Sequence, residues 1–342
     1  MHLNRKCRFP DLSDLFYRVD VATKVRERVD KVEQRATQIL AALAGLIPAV
    51  PIGAHCTIPY ECPFKSRCWP KLPTHHISTL YKISDEKTDA LKSNFGITEI
   101  SEISDQIKLS PIQARQVSAV KQNRCIAEPT LSRELNKIQY PVAYLDFETI
   151  SPAVPLWAGC GPYHQVAVQF SCHVDDGRGS LRHFEWLSND STDPRIGIVE
   201  PLLAACESAA TIVAYHAPFE KKRIAEIAKV NPTHADRIES LNDRFIDLLP
   251  IMRNNVYHPR FLGSFSIKDV LPALINGIQY SDLKIADGLT AAVLLEQLIT
   301  QKLPVPEVNR VVSELLEYCR LDTWAMYLLV KELTAIARGA GA

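Results

Sequence analysis

Two acidic residues, Asp146 and Glu148, stand inside an apolar, β-branched and aromatic run, YPVAYLDFETI, at 140–150. That composition, closed by the turn at Ser151-Pro152, predicts a strand. Side chains two apart share a face of a strand, so both carboxylates point one way and Phe147 the other. Acids are depleted in central strands, and the flanking VAYL reads as buried rather than as a solvated edge. Two carboxylates on one face of a buried strand require a counter-charge, and divalent cations such as Mg²⁺ or Mn²⁺ take oxygen ligands.

The texture downstream is consistent with an enclosing α/β domain. HQVAVQFSCHV (164–174) alternates as a second strand, and SLRHFEWL (180–187), after a DDGRGS turn, as a third, which predicts an antiparallel meander. Residues 193–210 read as helix, TIVAYH (211–216) as a short buried strand, 219–230 as helix and 307–337 as one long helix. This mixed α/β order is also the order of the RNase H-like fold. Further acids fall at telling places. Glu220 lies just past the strand ending at His216, in the first turn of a helix starting near Pro218, where open α/β sheets build sites. An acid there also simply suits the helix dipole. Tyr318 and Asp322 are four apart on one helix face, a spacing equally suited to a helix–sheet contact and a surface acid. Asp247, in RFIDLLPIM, reads as a ligand or as a helix cap.

DxE, then an aromatic followed by an acid after a strand, then YxxxD resembles the three-motif pattern of DEDD-type 3′–5′ exonucleases of the tyrosine subclass. The resemblance implies an RNase H-like fold and two divalent ions. It makes Asp146, Glu148, Glu220 and Asp322 metal carboxylates and Tyr318 the residue that orients the attacking water. This chain has Glu220 where that family has Asp, and His216 where it has Asn. LDFETISPAVPLWAGCGPYHQVAVQFSCHV, GSFSIKDVLPAL and PYECPF are similar to the uncharacterised bacterial domain-of-unknown-function 2779 family. Its members join a RecB-like nuclease part, a helical hairpin region and a C-terminal RNase H-like exonuclease domain. Carried over, 1–70 is a C-terminal remnant of the nuclease part with a cysteine loop, 71–139 a helical region and 140–342 the exonuclease domain. No D…ExK strand motif precedes the cysteines, so no second nuclease site is expected.

In the front of the chain, apolar residues from Val21, Val25, Val29 and Val32 to Ile39, Leu40 and Leu43 predict one amphipathic helix over 12–47. Over 77–124, Ser84 opens a helix that Gly96 closes, and Ser110-Pro111 starts another. Leu80, Ile83, Leu91, Phe95 and Ile97 form the expected core side. Helix, glycine turn, helix suits a nucleic-acid backbone held at helix N-termini, and is also a common small helical unit. Cys56, Cys62 and Cys68 recur every six residues in a Pro-rich loop between these parts. Three thiolates suit an iron–sulfur (4Fe-4S) cluster or zinc, with Cys7 or His55 to complete four ligands, or stay free thiols in a vestigial loop.

Charge separates the two parts. Residues 1–140 hold 21 Lys+Arg against 15 Asp+Glu and the remainder 18 against 24, so +6 and −6. A basic front and an acidic back fit nucleic-acid binding joined to a metal-dependent centre, as does ordinary scatter. Lys221, Lys222, Arg223 and Lys268 are candidate phosphate contacts. No apolar run reaches the ~18 residues that span a bilayer, and MHLNRKCRFPDL lacks a signal-peptide core, so no membrane partner and a cytoplasmic location are expected. The resulting expectation is a two-metal 3′–5′ exonuclease acting on DNA or RNA. The alternatives are a decayed RNase H-like nucleic-acid-binding module and a metal or iron–sulfur scaffold of a DNA repair complex.

Overall fold

The computed structural model describes residues 1–46, 56, 60–69 and 71–339. Contacts divide the chain into two units, Met1–Arg5 with Leu12–Thr74, and Lys6–Asp11 with His75–Ala342. His55 and most of the Pro-rich stretch between the first helix and Tyr60 lie outside the described residues.

In the first unit, His2–Leu3 pairs antiparallel with Phe16–Tyr17. Helix α1 therefore begins at Ala22 and runs to Ala44, rather than spanning 12–47. The ladder holds residues 16 and 17 extended, and Asp20 Oδ1 accepts from the Ala22 N–H at 2.8 Å, satisfying one open donor of the first turn. The valine stripe is present, yet no residue of α1 is buried.

In the second unit, local signals act as the sequence predicts. Helix α2 (Asp85–Phe95) is capped by Ser84 and closed by Gly96 at φ 67°. Helix α3 (Pro111–Gln122) starts in a capping box between Ser110 and Gln113. Leu80, Leu91, Ile97 and Val117 pack in one core with Ile77, Ile100 and Ile103. Phe95 does not join it and is 63% exposed. The chain reverses at Gly96, so that the Ile97 N–H reaches Leu91 O at 3.1 Å, and Phe95 stays outside the turn.

The domain behind it is built on a five-stranded mixed sheet. Strands β1 (Val142–Ile150), β2 (Val166–Asp175) and β3 (Leu181–Leu187) form the antiparallel meander. A broken helical stretch leads through α4 (Val199–Cys206) to β4 (Thr211–Ala214). Helix α5 (Ala217–Val230) follows, and then β5 (Phe245–Asp247). The order across the sheet is β3-β2-β1-β4-β5, with β4 parallel to both β1 and β5. Strand β1 is thus central, as its apolar flanks predict. Leu145, Phe147 and Phe170 pack on one face against Leu202, Leu203, Ile224 and Ile227. The other face, with Tyr144 and Val168, is covered by helices from the end of the chain. These are α6 (Leu248–Asn255), α7 (Ile267–Leu274), α8 (Gly288–Ile299) and α9 (Val305–Ala337).

The helical region of 75–139 is bolted to this domain. Ile126–Ala127 pairs with Val256–Tyr257. The buried Arg115 reaches Glu128 Oε1 at 2.8 Å and donates to the carbonyls of Arg253 and Asn254, capping the end of α6. Gly263, at φ 84°, lies so close to Thr79 that an added Cβ would fall 2.1 Å from its carbonyl oxygen. Gly263→Ala is therefore expected to destabilise the protein by more than about 2 kcal/mol, through strain and a backbone clash. Denaturant unfolding of this variant beside a control such as Gly179→Ala, where nothing lies within 4 Å of the added Cβ, separates the clash from the φ effect. Among the described residues, no helix is long and apolar enough to cross a membrane.

Candidate metal centre

Strand β1 presents Asp146 and Glu148 on the face covered by α9, opposite Ser171 and Gln169 of β2. The register of α9 over this face is set by two buried contacts. Gln169 Nε2 donates to Leu315 O at 2.8 Å, and Ser171 Oγ lies 2.8 Å from Thr323 Oγ1. These place Tyr318 and Asp322, one helical turn apart, over the strand; both are buried. Cys319 sits between them, fully buried, with Sγ 3.8 Å from both Asp146 O and Asp146 Oδ2. Asp146, Glu148 and Cys319 offer ligand atoms that all lie within 4.8 Å of one another.

Glu220 arrives from the other side of β1. Between β4 and α5 the chain turns sharply through His216, at φ 84° and ψ 55°. Histidine is among the side chains enriched in this left-handed region, together with Asn and Asp. The His216 N–H donates to Asp247 Oδ1 at 3.0 Å, and the same oxygen accepts from the Leu249 N–H at 3.1 Å. Asp247 is thus the cap of α6 and the anchor of the turn; of the two readings open from the sequence, the structure supports the cap. The turn buries Glu220 to 3% exposure. The Phe147 N–H hydrogen-bonds its carboxylate, while Oε2 has no hydrogen-bond partner among the described residues.

The four carboxylates feel one another. Burial, followed by Asp322, Glu220 and Glu148, pushes Asp146 well above the ordinary range. Burial and Asp322 raise Glu148 to about 8, against the pull of Lys268. Burial and Glu148 raise Glu220 well above its usual value, against Arg223. Burial raises Asp322 to about 6, although Tyr280 and Lys268 both lower it. A cluster of acids that suppress each other's ionisation, with one buried carboxylate oxygen left without a donor, is the environment a cation stabilises. The donor set, all carboxylate oxygens with one thiol at the edge, suits hard divalent ions.

Two further side chains complete the site, and the sequence patterns assigned one weakly and the other not at all. Tyr280 Oη donates to Asp322 Oδ1 at 2.6 Å. Lys268 Nζ donates to Ala286 O at 2.8 Å and to Tyr318 Oη at 3.1 Å, lying 5.1 Å from the ring centroids of both tyrosines. Tyr280 carries no local motif, and its partner is 42 residues away. Of the other basic candidates, Lys221 and Lys222 are exposed on α5. Arg223 is not a surface cation: it is 1% exposed, paired with Glu226 at 3.1 Å and bonded to Gln165 Oε1. The period of α5 turns it inward, where Phe219 lies under its guanidinium.

The cysteine trio is separate in kind. Cys56 is buried, Cys62 half-buried and Cys68 exposed. The Cys62 N–H donates to Cys56 O at 2.9 Å. Among the described residues, these thiols are not drawn into a group whose ligand atoms lie within 4.8 Å of one another. Cys7 is buried and donates its S–H to Asp11 O at 3.2 Å.

Comparison with known proteins bears out the resemblance to the domain-of-unknown-function 2779 family. Residues 143–266 match the family model described as "Domain of unknown function (DUF2779)". That span contains Asp146, Glu148 and Glu220 and ends before α9. Uncharacterized protein MG366 of Mycoplasma genitalium is 28% identical over 214 residues, 57% of this chain and 32% of the relative. Its homolog in Mycoplasma pneumoniae is 30% identical over 209 residues, 56% of this chain and 32% of the relative. An uncharacterized protein of Ureaplasma parvum is 22% identical over 214 residues. The match thus spans about a third of the length of these curated relatives. No solved structure matches.

Proposed function

We propose that this chain, whose residues 143–266 carry the domain of unknown function 2779, is a metal-dependent nuclease that removes nucleotides from the 3′ end of a nucleic-acid strand. The observation that carries the reading is the pairing of Asp146 and Glu148, whose ligand atoms lie within 4.8 Å of each other, with Asp322 and Glu220 close enough to raise the Asp146 carboxyl further. A central strand, a helix start and a distant helix face have no structural need to bring four acids together, whereas a two-ion phosphodiesterase requires it. The sheet order, a meander followed by two parallel strands, supports the finer assignment to an RNase H-like fold. Asp146, Glu148, Glu220 and Asp322 would hold two Mg²⁺ or Mn²⁺ ions. When bound, such ions make water a better nucleophile and neutralise charge on the phosphate and the leaving oxygen.

The protein groups supply position. Burial and the neighbouring acids raise the Tyr318 phenol, so it stays protonated near neutral pH and cannot be the general base. Lys268 donates to its oxygen, leaving the phenolic O–H to orient a water or a phosphate oxygen. Lys268 keeps a further N–H for the phosphate, and the exposed Lys221 and Lys222 lie beside Glu220 for the strand's backbone. The cysteine trio carries no part of this reading.

The test is purified protein with Mn²⁺ or Mg²⁺ on 5′-labelled single- and double-stranded DNA and RNA. The expected result is progressive 3′ shortening that EDTA abolishes; intact substrates under all conditions would leave the binding-module reading in its place. Tyr318→Phe should slow cleavage by about 10–100-fold. It should leave metal affinity, read as the metal-induced rise in melting temperature, unchanged, because the phenol is assigned to the water and not to the ions.

A further inference from the structure

Beside the carboxylates, on the same face of the sheet, lies a cavity of about 390 Å³ lined by His173, His183, Glu317, Arg320, Leu321 and Trp324. His173 and His183 face each other across β2 and β3, one strand row from the Asp146–Ser171–Glu185 row. Strand spacing and rise put them roughly 8–12 Å from Asp146. The cavity's other wall is α9, from the turns that carry Tyr318 and Asp322.

The walls are aromatic and held still. The rings of His173 and His183 stand 4.4 Å apart, and His173 and Trp324 5.6 Å apart. His173 Nδ1 lies 2.8 Å from Thr323 Oγ1, which lies 2.8 Å from Ser171 Oγ, which in turn lies 2.9 Å from His183 Nε2. Burial depresses both imidazoles, helped by His183 and then Arg320 at His173, which falls to about 3, and by Arg320 at His183, so the floor is uncharged near neutral pH. Arg320 at the rim is exposed. Among the described residues its guanidinium has no ion-pair or side-chain hydrogen-bond partner, so it is available to an anion.

We propose that this cavity binds a nucleotide, its base against Trp324 and the histidine pair and its phosphate on Arg320, as the subsite for the residue next to the one held at the carboxylates. This deepens the nuclease reading and rests on it for the strand's direction. Flat apolar ring faces accept any base, and an unpaired guanidinium at the rim suits a phosphate diester or monoester. The same chemistry comes from two sources, a nucleotide within a strand or a free nucleoside monophosphate.

The experiment measures binding of a fluorescein-labelled single-stranded decamer and, separately, of AMP and dAMP, without divalent metal. It uses wild type, Arg320→Ala, Arg320→Lys and Trp324→Phe, with melting temperature as the folding control. Arg320→Ala should weaken binding about ten-fold, Arg320→Lys should restore part of it, and Trp324→Phe should keep most of it. Loss for the decamer alone identifies the strand; loss for both identifies nucleotide recognition as such. If Arg320→Ala and a Trp324→Ala variant that stays folded both bind like wild type, the cavity is not a nucleotide subsite, whatever the cleavage assay shows. If binding depends on Arg320 but no metal cleaves the strand, the subsite stands and the nuclease reading falls.

Discussion

Asparagine in place of Asp146 is expected to lower metal-dependent cleavage at least about 10³-fold while leaving the metal-free protein as stable as wild type or more so. The two parts of this result have one cause. Burial first, and then Asp322, Glu220 and Glu148 together, push Asp146 up, so all three of the other acids crowd it. Asparagine keeps its shape and can still meet the Cys319 thiol, but it removes one repelling charge. A structural acid would behave in the opposite way, since deleting a carboxylate paired with cations or N–H donors destabilises the fold. Cleavage of a 5′-labelled strand and thermal melting in EDTA, measured on the same preparation, check both. Wild-type cleavage by Asp146→Asn would sink the nuclease assignment, and a lower metal-free melting temperature would show that Asp146 serves the fold instead.

Much of this site was legible because its parts obey short-range rules. The period of two in β1 puts Asp146 and Glu148 together, and the period of 3.6 in α9 does the same for Tyr318 and Asp322. Ser84, Gly96 and Ser110 sit where caps must sit, because only local hydrogen bonds decide them. Other features depend on contacts the pattern does not contain. Helix α1 starts at Ala22 because residues 16 and 17 pair with the N-terminus, not because the apolar stripe ends there. Arg223 follows two lysines in sequence, yet helical geometry turns it inward to Glu226. Lys268 meets Tyr318 across 50 residues, and Tyr280 meets Asp322 across 42. Lys268 is marked only as one basic residue among several and Tyr280 not at all, since a helix lysine and a tyrosine in a short turn are common everywhere.

Relative to Glu148→Gln, the metal-free wild type is expected to lose stability as pH rises from about 4.5 to 8, and divalent ions are expected to restore it increasingly over the same window. Glu148 rises from 4.5 to about 8 and Asp322 from 3.8 to about 6 in the folded chain. Between those values these two groups bind more protons in the folded state than in the unfolded one, so their contribution to the free energy of unfolding falls as pH rises. Lys268 and Tyr280 soften the effect at Asp322 but do not reverse it. Mg²⁺ or Mn²⁺ competes with those protons for the same oxygens. Its stabilisation should therefore be small at pH 5 and reach roughly 5–10 °C at pH 8, at about a hundred-fold excess over Kd. Melting curves at both pH values, with EDTA and with Mn²⁺, measure this directly. Glu148→Gln should lack that loss and show a smaller metal-induced gain, because glutamine neither titrates nor carries the charge the ion offsets. A difference of the opposite sign between wild type and Glu148→Gln, or an equal gain at pH 5 and pH 8, would mean that the acids are not the ion's ligands. The depressed histidines, His173 and His183 among them, push the slope the other way below about pH 6.5 but cancel in this difference, as do surface carboxylates such as Glu102, Glu134 and Asp287, which are held below their usual values.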